Sequence, residues 1–192
     1  MISLQLPLAE SDIRALSCGD EVALTGVIYT ARDAAHKYLA GAPDPTRLPD
    51  LQNAVLYHCG PVIIRRDGEW VVTAAGPTTS IREEPYMAEV IRRYRLKAVI
   101  GKGGMGADTL AACREHGCVY LSAVGGAAQV MAQSIRKVTG VYMLEEFGAP
   151  EALWELQVAD MPLIVTMDTH GGSLHRQTLD RSHQALSQLM ER

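Results

Sequence analysis

Three Gly-rich or Pro-containing segments each follow an apolar run and precede a helical pattern. They are Gly76-Pro77-Thr78-Thr79-Ser80-Ile81-Arg82, Gly101-Lys102-Gly103-Gly104-Met105-Gly106 and Val124-Gly125-Gly126-Ala127. A strand-to-helix turn leaves backbone N–H groups unpaired at the positive end of a helix, and glycine lets a ligand approach that backbone closely. Gly101, Gly103, Gly104, Gly125 and Gly126 are therefore candidate anion-turn residues. Two of the turns carry a fixed cation, Arg82 and Lys102, and Arg32 follows the apolar run Val22–Tyr29. Cations gathered at the carboxyl ends of strands suit a small molecule with more than one carboxylate or phosphate. Any one such turn has an ordinary explanation, since glycine serves turn geometry and cations at helix starts are often only solvated. Three in one chain favour a ligand.

Other chemistries fit less well. Gly101, Gly103 and Gly106 match G-x-G-x-x-G after a strand and before a helix, but the next strand, Val119–Ser122, ends without the acid that would hold a ribose. No Gly-Lys-Ser/Thr closes a phosphate loop of the Walker type. Asp168-Thr169-His170-Gly171-Gly172 pairs an acid with a histidine, yet the chain has no G-x-S-x-G nucleophile elbow, so His170 reads as a turn residue. Cys18, Cys59, Cys113 and Cys118 form no C-x-x-C pair and are expected as free, mostly buried thiols. No metal ligands are assigned to this chain.

The elements that must position these residues can be read from hydrophobic periodicity. Strands are expected at Val22–Tyr29, Ala54–Tyr57, Val62–Arg65, Trp70–Ala75, Ala98–Ile100, Val119–Ser122, Leu153–Val158 and Leu163–Met167. Helices are expected at Ala31–Leu39, Glu83–Arg95, Asp108–Glu115, Ala127–Ile135 and from Ser173 onward, with a Pro-containing loop at Gly41–Pro49. Asp67-Gly68 between two strand-like runs marks a hairpin. The later alternation of strand and helix has the spacing of βαβ units on a parallel sheet. The fold class expected is α/β, a mixed sheet with parallel βαβ units and a hairpin-rich N-terminal part, in a single domain over 1–192.

The chain has 192 residues, 47% apolar and 21% charged, which is ordinary for a globular protein. Eighteen Lys and Arg against 22 Asp and Glu give a net charge of −4, without the positive field that nucleic acid or an anionic membrane surface requires. Aromatic residues at 5% argue against stacking on single-stranded nucleic acid. No apolar run spans a bilayer, and Met1–Gln5 lacks a signal-peptide pattern, so a cytoplasmic location is expected.

Taken in order, Thr30-Ala31-Arg32-Asp33-Ala34-Ala35-His36, Gly76–Arg82, Gly101–Gly106 and Asp168-Thr169-His170-Gly171 resemble the β subunit of class I, iron–sulfur-dependent fumarate hydratases and L-tartrate dehydratases. The likeness runs from about Ile13 to Leu174, and in single-chain relatives the same region is the C-terminal domain. The resemblance implies a swivelling β/β/α domain that docks on an α subunit, in a homodimer or heterotetramer. It implies a [4Fe-4S] cluster held by the α subunit and not ligated by this chain. It places substrate-binding cations at Arg32, Arg82 and Lys102 and the proton-abstracting base at Thr78. The implied activity is reversible hydration of fumarate to malate, with dehydration of tartrate or another 2-hydroxy dicarboxylate as the alternative. A metabolite-binding domain without chemistry is the alternative of another class. One departure bears on substrate: Ile81 precedes Arg82 and Glu83-Glu84-Pro85-Tyr86 follows it, where fumarases often have a smaller residue and then Met-Asp.

Overall fold

The computed structural model describes residues 1–190. In chain order the first elements are β1 (Ile2–Gln5), α1 (Glu10–Arg14), β2 (Glu21–Thr30), α2 (Asp33–Ala40), β3 (Val55–Tyr57), β4 (Val62–Arg66) and β5 (Glu69–Ala74). There follow α3 (Glu84–Tyr94), β6 (Ala98–Gly101), α4 (Ala107–His116), β7 (Val119–Ser122) and α5 (Ala128–Gln133). The chain continues through β8 (Ile135–Tyr142), α6 (Leu144–Phe147), β9 (Leu153–Met167) and α7 (Leu174–Met190). A 3-10 turn at Ser80–Glu83 leads into α3.

The fold is mixed α/β. Seven strands pair in the order β1-β2-β3-β6-β7-β9-β8, and β4 and β5 form a separate two-stranded sheet. Strands β1, β2, β3, β6 and β7 run parallel to their neighbours, whereas β9 is antiparallel to β2, β7 and β8. Because β9 pairs with both β7 and β2, the series β2-β3-β6-β7-β9 closes on itself. Closure leaves these strands two faces to bury, which accounts for their almost unbroken apolar runs.

Alternation along the strands sorts side chains between two cores. Val55 and Tyr57 of β3, Ala98 and Ile100 of β6, and Val119 and Leu121 of β7 join one cluster with Leu24, Ile28 and Trp154. The intervening Leu56, Val99 and Tyr120 join the other, with Leu39, Met87, Ile91 and Cys113 from the helices. Cys59, Cys113 and Cys118 are buried and all four cysteines are free thiols, so they pack as small apolar residues.

The hairpin expected at Asp67-Gly68 is β4–β5, and both turn residues have positive φ, 52° and 85°, as a type I′ turn requires. Two local expectations need correcting. The helix expected over Ala127–Ile135 stops at Gln133, and Ile135 opens β8, which pairs with β9. The strands expected at Leu153–Val158 and Leu163–Met167 are one strand. Asp160 takes φ 51°, opposite a register shift at Leu24/Gly26, and this bulge carries the strand past Pro162. Strand β1 and helix α1 were not foreseen.

Candidate active site

The parallel strands β2, β3, β6 and β7 lie side by side and deliver their carboxyl ends to one edge. The carboxyl ends of parallel strands are where ligands bind in open α/β sheets and in closed α/β barrels alike. Arg32 follows β2, His58 follows β3, Lys102 follows β6, and Gly125 and Gly126 follow β7. Backbone hydrogen bonds continue the ladder beyond the strands: Ala31 donates to Tyr57 at 2.9 Å, His58 to Ile100 at 2.8 Å and Ala123 to Gly101 at 2.8 Å.

The Gly76–Arg82 segment comes from the other direction and is stitched across this edge. Thr78 N–H donates to the His58 carbonyl at 2.7 Å and Ser80 N–H to the Lys102 carbonyl at 3.1 Å. Thr79 bridges Lys102, and Pro77 bridges Cys59. Residues about twenty apart in sequence thus meet, and Thr78, whose neighbour Pro77 has no N–H to offer, still has one for the end of β3.

The side chains converge through one carboxylate. Arg82 Nη2 donates to Thr78 Oγ1 at 2.9 Å and to Asp33 Oδ2 at 2.9 Å. Arg32 Nη2 lies 3.9 Å from the same Asp33 oxygen. Glu151, from the loop ahead of β9, sits 3.4 Å from Arg32 Nε and accepts from Ala34 N–H at 2.9 Å. Arg32 and Thr78 are half-buried and Arg82 is exposed. Thr78 does not cap the helix that follows: the 3-10 turn begins after Thr79, without a side-chain cap, and the Thr78 hydroxyl is taken by Arg82. Arg82 thus holds the Asp33 carboxylate by a hydrogen bond, with Arg32 beside it at ion-pair distance.

Lys102 shares the edge through its backbone pairing with Thr79 and Ser80, and its side-chain stem passes Gly125, where a methyl would lie 3.7 Å from Cδ. Gly126 has φ +82° and Gly103 φ +81°, both exposed with open space beside them. Gly101 is different. It is buried where any side chain would collide with Ser80, Tyr120 and His58, so it lets the Ser80 turn lie against β6. Gly104 lies against the ring of His175.

The α4 end of the Gly101–Gly106 turn already holds an anion of the chain's own. Glu84 accepts from the N–H groups of Gly106 (2.7 Å), Asp108 (3.1 Å) and Thr109 (3.2 Å), and from Thr109 Oγ1 (2.6 Å). This carboxylate fills the place a pyrophosphate would take in a dinucleotide site. Arg82, Glu83 and Glu84 therefore diverge from one turn. Arg82 reaches Thr78, Glu83 turns inward and is 0% exposed, and Glu84 reaches α4.

Asp168 accepts from the N–H groups of His170 (2.9 Å), Gly172 (2.8 Å) and Cys18 (3.0 Å), so it shapes a turn, and His170 is exposed. Ile81 is half-exposed and lines, with Gly103, Met105 and His175, a groove of about 860 Å³ between α7 and the start of α4. Arg32, Thr78, Arg82 and Lys102 lie outside the lining of that groove. Among the described residues no group of three or more His, Cys, Asp or Glu is arranged to hold a metal, and the four cysteines do not assemble for a cluster. Among them, too, no helix is long and apolar enough to cross a membrane.

Sequence reasoning missed Asp33, Glu151, Glu83, Glu84, His36 and His58. Asp33 and His36 stood inside the quoted Arg32–His36 motif, and their spacing along a helix start was the available signal. Glu83 and Glu84 stood out only as residues that follow Arg82 at the start of a helix.

A family described as the fumarase C-terminus matches residues 1–178. A Geobacillus stearothermophilus protein provisionally named class I fumarate hydratase is 52% identical over 192 residues, covering 100% of this chain and 37% of that protein. A Methanocaldococcus jannaschii protein provisionally named L(+)-tartrate dehydratase subunit beta is 41% identical over 186 residues, 95% of either chain. The L(+)-tartrate dehydratase subunit beta of Escherichia coli K12 is 34% identical over 172 residues, covering 89% of this chain and 85% of its own. The chain thus spans little more than a third of the first relative and most of the other two.

Proposed function

The chain belongs to the fumarase C-terminus family, and from that premise we propose that it is the β subunit of an iron–sulfur-dependent class I fumarate hydratase. Together with an α subunit it would hydrate fumarate to malate reversibly, with residues 1–192 as one domain of a cytoplasmic heteromer. The observation that carries the reading is the hold of Arg82 on both Thr78 Oγ1 and the Asp33 carboxylate, with Arg32 at that same carboxylate.

In this reading Arg32, Arg82 and Lys102 bind the substrate's two carboxylates, the guanidinium forks supplying paired, directional N–H donors. Dehydration of malate removes a proton from the carbon next to the one that loses its hydroxyl. Thr78 takes that proton on Oγ1. A threonine hydroxyl is a weak base unaided, and the N–H that Arg82 gives to Oγ1 stabilises the alkoxide form. Negative charge developing on the adjacent carboxylate is stabilised by the same fixed cations. In the hydration direction the Thr78 hydroxyl returns the proton. In this reading the [4Fe-4S] cluster of such enzymes would be held by the α subunit, a division supported by the free, ungathered cysteines of this chain among the described residues, and no step assigned to these residues runs through it.

A second reading, the β subunit of an L-tartrate dehydratase, is favoured by a specific observation. Two relatives, 41% and 34% identical, carry the name of the L(+)-tartrate dehydratase subunit beta, the first provisionally. The higher identity, 52%, lies with the fumarate hydratase. Co-expression with the α subunit and anaerobic assay of malate against L-tartrate separates the two. A kcat/KM higher for malate supports the first reading and one higher for tartrate replaces it. Binding of either acid without turnover would leave a metabolite-binding domain.

A further inference from the structure

Behind the edge that presents Arg32, Thr78 and Arg82 lie three ionisable side chains that the chemistry above does not use. His36, His58 and Glu83 are each 0% exposed. The two rings meet edge to face with centres 4.8 Å apart, and His36 Nδ1 stands 3.6 Å from Glu83 Oε2. Each is one step from a residue of the candidate site. His36 Nδ1 donates to the Arg32 carbonyl at 2.9 Å, the His58 carbonyl accepts the Thr78 N–H at 2.7 Å, and Glu83 follows Arg82 in the chain.

A count of donors decides the state of the cluster. The Arg32 carbonyl can only accept, so His36 carries its proton on Nδ1 and Nε2 is an acceptor. Among the described residues, His36 Nε2, both ring nitrogens of His58 and both oxygens of Glu83 have no hydrogen-bond partner. With both rings neutral, the donors left within the cluster are one N–H of His58 and the O–H of a protonated Glu83; Arg32 Nε, the other buried donor without a hydrogen bond, lies 3.4 Å from Glu151. Ionising Glu83 removes one of those two donors and sets a buried charge among acceptors, which is the costlier arrangement. Buried polar groups that can answer only one another behave as a unit.

We propose that His36, His58 and Glu83 form one buried polar cluster that positions Arg32 and the Thr78–Arg82 turn for dicarboxylate binding, and that loss of the Glu83 proton loosens that site. The proposal rests on the dicarboxylate reading of Arg32, Thr78 and Arg82 and adds three positioning residues to it. The charged and titratable groups around Glu83 are Asp33 and His36 from α2, Arg32 ahead of it, His58 after β3, Arg82 beside it and Glu151 ahead of β9. Burial raises Glu83 most and Asp33 adds to it; Arg82 opposes, Glu151 raises and Arg32 opposes, leaving it at about 7. Burial holds His36 down to about 4 and His58 well below the ordinary histidine range. Glu83 thus holds its proton in mild acid and loses it near neutrality. An anionic Glu83 then competes with the substrate's carboxylates for the guanidinium groups of Arg32 and Arg82.

Two measurements test this. The full chain, carrying 13C at its glutamate carboxyl carbons, is titrated by NMR from about pH 5 to about pH 9. One resonance is expected to titrate far above the ordinary glutamate range of about 4.3, to vanish in Glu83→Gln and to move in His58→Asn. If every glutamate titrates in the ordinary range, the cluster is overturned without recourse to a variant or a partner. In the complex with the α subunit, KM for the dicarboxylate is expected to rise roughly five-fold, equivalent to about 1 kcal/mol, between about pH 6 and about pH 8.5. Over the same interval kcat stays nearly constant, and KM of Glu83→Gln stays flat. A Glu83→Gln profile parallel to the wild type overturns the positioning role. A complex that turns over no dicarboxylate refutes the functional reading, while the NMR titration still decides the cluster.

Discussion

The guanidinium of Arg82 donates to Thr78 Oγ1 at 2.9 Å, and the donating nitrogen is also 2.9 Å from Asp33 Oδ2. The four-residue separation of Thr78 and Arg82 is not a helical spacing here, since only the 3-10 turn at Ser80–Glu83 lies between Thr78 and α3. Asp33, 49 residues away in sequence, fixes the guanidinium from the far side. An exposed ion pair of this kind contributes little to stability, about 0–1 kcal/mol. Its consequence is orientation.

Replacing Arg82 by lysine keeps the charge but puts a compact ammonium on a flexible stem in place of the planar guanidinium whose Nη2 reaches both Thr78 Oγ1 and Asp33 Oδ2. In the reconstituted complex Arg82→Lys should lower kcat by roughly 10²-fold or more, the range of a lost acid–base contribution. Steady-state kinetics at saturating malate measure this. A kcat close to the wild type would mean that Thr78 does not depend on Arg82.

Gly60 tests the placement of Arg32 from outside the site. A methyl there would lie 2.6 Å from the Pro150 carbonyl and 2.7 and 2.8 Å from Arg32 Nη1 and Cδ. The carbonyl is backbone and cannot swing away, so the Arg32 side chain is the part that moves. Gly60→Ala should raise KM about ten-fold, equivalent to about 1.4 kcal/mol, and cost about 1–3 kcal/mol of stability through overpacking. An unchanged KM in a folded variant would remove Arg32 from substrate binding.

Glu84 is expected to matter for stability and not for chemistry. Its carboxylate satisfies three N–H groups at the start of α4 and the Thr109 hydroxyl. Glu84→Ala should cost about 1–3 kcal/mol in urea denaturation, in the range for hydrogen bonds to a charged group. A loss under about 0.5 kcal/mol would show that solvent satisfies α4 equally well.

The parts that were legible in the sequence share a local cause. Asp67-Gly68 demands positive φ at two successive residues, and a hairpin provides it. The strand–glycine–helix turns after β6 and β7 announce themselves by composition, which is why Lys102 and Gly125 could be placed on one edge before the strand order was known. What could not be read depends on distant partners. Pro162 looks like a strand end, and only the bulge at Asp160 opposite Thr25 shows how β9 continues. Ile135 looks like the end of a helix because its pairing with Val158 is invisible from nearby residues. Glu83 stands between Arg82 and Glu84 with nothing local to mark it as buried, whereas the turn at Ser80–Glu83 faces it inward beside His36 of α2, which meets the ring of His58 after β3.

The buried cluster gives stability a definite pH dependence. Glu83 holds its proton up to about 7 in the fold against 4.5 ordinarily, so the folded chain binds the extra proton between those values. Its contribution is complete below about pH 4.5 and is lost as pH rises through about 7. His36, held down to about 4 from 6.5, acts oppositely: its contribution is complete above 6.5 and is lost as pH falls toward 4. The two oppose each other in acid, and Glu83 acts alone above about pH 6.5. Unfolding free energy should therefore fall by about 1 kcal/mol between about pH 6.5 and about pH 8, and Glu83→Gln should show no such fall. Equal slopes in urea titrations of the two proteins would contradict this.

The most direct measurement is made on the complex of the Thr78→Ala chain with its α subunit, following malate dehydration together with exchange of the malate C3 hydrogen with solvent deuterium. The expected result is a KM near that of the wild type, kcat lowered by about 10²–10⁴-fold, and exchange lost in step with kcat. Wild-type kcat and exchange in Thr78→Ala would mean that some other group carries the proton, and that the edge built by Arg32, Thr78, Arg82 and Lys102 only holds the acid.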